Sequence, residues 1–129
     1  MNILFLCVGN SARSQMAEGI AKKLLEGRGT VQSAGSEPKS IHPLAISSMK
    51  EIGIDISSQQ SKSISTINPD TVDYIITLCA EEICPVFLKN VYKEHWPFED
   101  PSLIEGNEDK KLEAFRKIRD ELYNNRAVA

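Results

Sequence analysis

Apolar residues open the chain as a nearly unbroken run, Ile3-Leu4-Phe5-Leu6-Cys7-Val8, which predicts a short strand covered on both faces, as in a parallel sheet. Gly9-Asn10-Ser11 breaks the run. From Ala12 the residues Met16, Ala17, Ile20, Ala21, Leu24 and Leu25 recur at helical spacing until Gly27 and Gly29, the pattern of an amphipathic helix. Thr30-Val31-Gln32-Ser33-Ala34 reads as a second strand, and Pro43 stands where a first helical position would be, opening a helix through Met49 and Ile52 that Gly53 ends. Serines, Asn68 and Pro69 make residues 54–70 a loop or a broken helix. Residues 72–78 read as a third buried strand, and residues 92–98 as a weaker one ending at Pro97. Past Gly106, Leu112, Phe115, Ile118 and Leu122 mark one face of a charged terminal helix that opens with Glu108 and Asp109, and the alternating charges of residues 110–121 read as its solvated side.

Strands alternating with helices imply an α/β fold with a parallel sheet, whose ligands bind beyond the carboxyl ends of the strands. Cys7 ends the first strand and Cys79 follows the third, so two cysteines fall on that edge. At 129 residues and 41% apolar content, the expectation is a single domain over residues 1–129 with one core and no need of disulfide staples. A net charge of −3, from 15 basic and 18 acidic residues mixed along the chain, supplies no broad basic surface and disfavours nucleic acid and anionic membrane as partners. No basic leader precedes Ile3, and no apolar run approaches the ~20 residues that span a bilayer, so a cytoplasmic protein is expected. Three cysteines in a reducing compartment are an odd set for a structural framework, which turns attention to metal binding or nucleophilic and redox chemistry.

The segment Cys7-Val8-Gly9-Asn10-Ser11-Ala12-Arg13-Ser14 runs from strand to helix, with Gly9 and Asn10 where the backbone turns tightly. Amides of such a loop converge on one point at a helix N-terminus, and an arginine six residues past the cysteine can fold back onto two oxygens of the same anion. The same field favours the thiolate form of Cys7, and Ser14 is placed to donate a hydrogen bond to it. The alternative is a small buried side chain at a strand end. Position decides between them: the Cys-x5-Arg pattern lies between a predicted strand and a predicted helix, which points to an oxyanion site with a cysteine nucleophile.

The run Phe5-Leu6-Cys7-Val8-Gly9-Asn10-Ser11-Ala12-Arg13-Ser14-Gln15-Met16-Ala17-Glu18-Gly19 resembles the signature of the low-molecular-weight protein tyrosine phosphatase superfamily, and in particular of its thioredoxin-coupled arsenate reductases. Ser33-Ala34-Gly35, Asp55-Ile56-Ser57, Thr77-Leu78-Cys79, His95-Trp96 and Asp100-Pro101 carry the likeness along nearly the whole chain. The resemblance implies a three-layer domain around a four-stranded parallel sheet in the order 2-1-3-4, flanked by helices. It also implies a cysteine relay. Cys7 attacks arsenic, Cys79 attacks the Cys7 sulfur and releases arsenite, and Cys84 then attacks Cys79 and carries the disulfide to thioredoxin or a similar thiol donor. The Cys79-Ala80-Glu81-Glu82-Ile83-Cys84 spacing is shorter than in the best-known members, and Ala12 leaves the loop without a further cysteine.

By the same resemblance Asp100, ahead of Pro101, protonates the leaving oxygen, and Ser102 stands where phosphatases of the superfamily place an aromatic residue for a phosphotyrosine ring. Asn10 shapes the loop with Ser33 behind it. Some relatives bind potassium through residues matching Asn10, Glu18 and Ser33 plus an acid that aligns with Lys62, so an ammonium is expected in place of the cation, with no potassium dependence. A bound metal is not expected, because three thiolates lack an evident fourth ligand and His42 and His95 stand isolated. The reading is an arsenate reductase with arsenate or phosphate in the loop, no tightly bound cofactor and a monomeric chain. Its rivals are a phosphatase acting through a Cys7 phosphocysteine, which needs no reductant, and a non-enzymatic oxyanion or phosphocysteine carrier, which has less need of Asp100.

Overall fold

The computed structural model describes residues 2–79 and 90–124. Strand β1 (Asn2–Cys7) buries nearly every side chain because it lies inside the sheet, between β2 (Thr30–Gly35) and β3 (Tyr74–Thr77), with β4 (Tyr92–His95) at the outer edge of β3. All pairings are parallel and the order is β2-β1-β3-β4, as expected. The register sets Cys7 opposite Gly35 and Leu6 opposite Thr77, so the carboxyl ends of β2, β1 and β3 finish together.

Alternation along β1 divides the core between two faces. Ile3 and Phe5 pack with Met16 and Ile20 of α1 (Arg13–Leu24), Ala45 and Met49 of α2 (Pro43–Lys50), and Phe115, Ile118 and Leu122 of α3 (Glu108–Tyr123). Leu4 and Leu6 pack on the other face with Ile67, Val72 and Ile75, beside 3-10 turns at Ile64–Thr66 and Pro69–Thr71. A helical layer, the sheet and a second layer of turns make up the three-layer arrangement in the described residues. Among them no helix is long and apolar enough to cross a membrane.

Three local readings change. The third strand is shorter than residues 72–78, since Val72 closes a 3-10 turn and the Asp73 amide donates to Asn2 O before pairing begins. The fourth ends at His95, but Trp96 and Phe98 still donate to Thr77 O and Leu78 O, which carries the chain alongside β3 as far as the loop of Asp100. The terminal helix is not solvated along all its charges: Arg119 is buried, donating to Ser48 O and Glu51, because α3 needs a polar partner for the end of α2 as well as an apolar face. Cys84 lies outside the described residues.

Candidate active site

Every carbonyl from Val8 to Ala12 accepts a hydrogen bond from beyond residues 8–12, the last of them from the first turn of α1. Glu37 N–H donates to Val8 O (2.9 Å), Lys39 N–H to Gly9 O (2.8 Å), Gln15 Nε2 to Asn10 O (3.0 Å), His42 N–H to Ser11 O (2.9 Å) and Met16 N–H to Ala12 O (2.9 Å). In a trans peptide the next N–H points opposite to the carbonyl, so drawing the carbonyls outward turns the amides inward. One of these amides reaches sulfur: Asn10 N–H donates to Cys7 Sγ at 3.3 Å. Two backbone features permit the turn. Asn10 takes φ 47, the left-handed region that asparagine tolerates better than most residues, and Gly35 leaves space in which a Cβ would lie 2.3 Å from Val8 O and 2.9 Å from Cys7 O.

Hydrogen-bond directions behind the loop follow from the chemistry of its members. The buried Glu18 carboxylate can only accept, so Ser33 Oγ–H donates to Oε1 (2.5 Å). Lys62 N–H donates to Asn10 Oδ1 (2.7 Å), which fixes the amide so that Nδ2 donates to both Ser33 Oγ (2.9 Å) and Ser14 Oγ (2.8 Å). Ser14 therefore accepts from Asn10 and has its own proton left for Cys7 Sγ, 2.8 Å away. Lys22 Nζ pairs with Glu18 Oε2 at 2.5 Å, and Lys62 Nζ approaches Oε1 at 4.0 Å, so two ammonium groups accompany one buried carboxylate.

Cys7, Arg13 and Asp100 line one cavity of about 410 Å³, together with loop residues Val8, Gly9, Ser11 and Ala12 and a wall that includes Lys39, His42 and Ser102. Arg13 is buried at the first position of α1; its Nη1 donates to Phe98 O (2.9 Å) and Leu78 O (3.5 Å), and Nη2 lies 3.7 Å from Asp100 Oδ2. That arginine bridges the end of β3 and the Asp100 loop, beside any anion it would bind. Asp100 Oδ1 accepts from Ser102 N–H (3.0 Å) and Oγ–H (2.7 Å), capping a 3-10 turn at Pro101–Leu103 and leaving Oδ2 toward Arg13. Cys79 is disulfide-bonded and Cys7 is a free thiol.

His42 is not isolated. Its Nδ1 accepts from Leu44 N–H (3.1 Å), which caps α2, and its ring packs on Phe115 with centroids 4.7 Å apart. Burial lowers its pKa against the raising effect of Asp100 and Glu108. Sequence reasoning also missed Lys39 and the whole of residues 37–42 as the strap that holds the loop open. The one available signal was Pro43, which marks a helix start and hence a capping residue close to a strand end.

A family model described as low molecular weight phosphotyrosine protein phosphatase matches residues 2–127. The arsenate reductase of Bacillus subtilis (strain 168) is 46% identical over 124 residues, which cover 95% of this chain and 89% of the relative. A solved structure described as an arsenate reductase in the phosphate binding state superposes with a TM-score of 0.78 at 40% identity, covering 95% of this chain and 92% of that one. The thioredoxin-dependent arsenate reductase of Corynebacterium glutamicum aligns with a TM-score of 0.66 at 31% identity, covering 93% of this chain and 57% of its own. A parallel sheet ordered 2-1-3-4, a cysteine loop at its carboxyl edge and a family match over almost every residue lead to one assignment: the chain belongs to the low molecular weight phosphotyrosine protein phosphatase family.

Proposed function

We propose that this protein reduces arsenate to arsenite and passes the resulting disulfide to thioredoxin or a similar thiol donor. The observation that carries the reading is the shared cavity of Cys7, Arg13 and Asp100, with a second cysteine one residue past the Leu78 carbonyl to which Arg13 donates. The Cys7 thiolate attacks arsenic(V), and Asp100 gives a proton to the oxygen that leaves as water. Cys79 then attacks the Cys7 sulfur. The sulfur–arsenic bonding pair stays with arsenic, which leaves as arsenite(III), and a Cys7–Cys79 disulfide remains. Cys84 attacks Cys79, returning Cys7 as thiolate, and a dithiol reductant supplies the two electrons that close the cycle. The free Cys7 and bonded Cys79 support this order of exchange.

The loop amides of residues 8–14, with Arg13, hold the three remaining oxygens, while Asn10, Ser14, Ser33 and Glu18 orient the sulfur. In this reading the Lys62 ammonium near Glu18 supplies the charge of a monovalent cation, and replacing potassium by choline leaves turnover unchanged. Ser102 in the cavity wall offers no ring to stack on a phosphotyrosine, which favours a small inorganic substrate over the phosphatase alternative. A cytoplasmic monomer with no tightly bound cofactor suits an enzyme whose electrons arrive from a reducing thiol pool.

Coupling the protein to thioredoxin, thioredoxin reductase and NADPH tests the proposal, with aryl phosphate hydrolysis run in parallel. Arsenate-dependent NADPH loss is expected, and Cys84→Ser should release arsenite at most once per enzyme with thioredoxin as sole reductant. Aryl phosphate turnover without NADPH loss would replace the proposal with the phosphatase reading.

A further inference from the structure

The loop residues and Arg13 do not supply all the positive charge in the cavity. Lys39 lines the same cavity as Cys7 and Arg13, yet it is exposed, and among the described residues no carboxylate pairs with it. Its backbone is fixed relative to the loop, because Lys39 N–H donates to Gly9 O at 2.8 Å while Glu37 and His42 donate to Val8 O and Ser11 O on either side. Its stem lies over Gly9, with Cδ 3.8 Å from the place a Gly9 Cβ would occupy. A lysine anchored at its backbone and resting its stem on the loop delivers its ammonium to the cavity mouth.

Charge accounting explains why a cation belongs there. Attack by a thiolate on an oxyanion brings like charges together. Arg13 is the cation deepest in the cavity, and its Nη2 is already 3.7 Å from the Asp100 carboxylate. His42, the other basic group of the wall, is pushed toward its neutral form by burial. Lys39 is the one lining cation in the described residues with no acidic partner.

We propose that Lys39 is a substrate-gathering residue, whose ammonium at the cavity mouth raises the affinity for tetrahedral dianions bound in the residue 7–13 loop. The inference rests on the oxyanion-site reading but not on the redox half of the reaction. Because Lys39 lines the cavity from its exposed rim while Cys7 and Arg13 are buried, its charge acts on anion entry and binding and leaves the sulfur chemistry alone.

The test uses the full chain and inorganic phosphate, scored by how well phosphate shields Cys7 from iodoacetamide. Lys39→Gln should weaken phosphate protection and raise the KM for arsenate, each roughly threefold to tenfold, with kcat within about twofold. The ionic-strength dependence of kcat/KM should flatten in Lys39→Gln, and Lys39→Arg should restore both affinity and salt response. Unchanged phosphate protection in Lys39→Gln would overturn the proposal, as would a fall in kcat with KM unaltered. Phosphate protection that depends on Lys39 in a protein that never oxidises NADPH would instead retain Lys39 and reject arsenate reduction.

Discussion

Asn10 does three things that no single substitution preserves. It adopts a positive φ, donates through Nδ2 to Ser14 and Ser33, and accepts the Lys62 amide through Oδ1. Asn10→Gly keeps the backbone conformation but removes both donations and the acceptor of the Lys62 amide, so Ser14 loses the bond that orients its proton toward Cys7. Each lost hydrogen bond is worth about 1 kcal/mol, which predicts a roughly tenfold drop in kcat/KM and in the rate at which iodoacetamide alkylates Cys7, with circular dichroism unchanged. Asn10→Asp places a second carboxylate beside Glu18 and turns the donor to Ser14 into an acceptor; its loss should exceed that of Asn10→Gly in the same assays. Gly35 is a steric counterpart, since a Cβ 2.3 Å from Val8 O must push the loop. Gly35→Ala should lose phosphate protection of Cys7 while Gly53→Ala, at a position with open space but a φ of 79, should cost stability and leave phosphate binding intact.

At the scale of elements, α2 and α3 are joined by charge as well as by Met49, Phe115 and Leu122. Arg116 and Arg119 both donate to Glu51 just past the end of α2, and Arg119 also reaches Ser48 O. The hydrogen bond from Arg116, with help from Arg119, holds the Glu51 carboxyl down to about 2. Its folded value lies below its unfolded one, so the contribution is complete above the usual carboxylate range near 4.5 and is lost as pH falls toward about 2. Glu51→Gln should therefore flatten the acid limb of stability in urea titrations between about pH 5 and pH 2. At neutral pH its cost should be on the order of 1 kcal/mol or less, because the Glu51 side chain is 37% exposed.

Arg119 also shows where sequence reading stops. Periodicity fixed α3 well, because Phe115, Ile118 and Leu122 repeat at the spacing of one face, but a charge inside that repeat gives no sign of turning inward to a carbonyl of another helix. The loop residues were legible for the opposite reason. A strand, a glycine, an asparagine and a cysteine six residues before an arginine are local in sequence, and local backbone geometry brings them together. Residues 37–42 act on the loop across long sequence separation, through backbone amides whose direction no side chain advertises, and so Lys39 and His42 were invisible. His42 in particular reads as a solitary histidine until α2 is seen to begin directly after it.

On the scale of the whole molecule, the anion site exists only when segments far apart in the chain have assembled. Phosphate bound by the folded protein and not by the unfolded chain must raise stability, by about 2.7 kcal/mol at a concentration near 100 times its dissociation constant. Thermal unfolding with and without phosphate should show that rise, and Arg13→Ala should abolish most of it. The placement of β1 between β2 and β3 has a further consequence during synthesis. A ribosome delivers Asn2–Cys7 well ahead of Tyr74–Thr77, and the strand cannot be enclosed until the later one has also emerged, a wait on the order of several seconds at ordinary elongation rates. Throughout that interval the nascent chain carries an apolar segment and its future nucleophile uncovered, so the most vulnerable moment for Cys7 toward oxidants or premature disulfides falls before the enzyme has ever met its substrate.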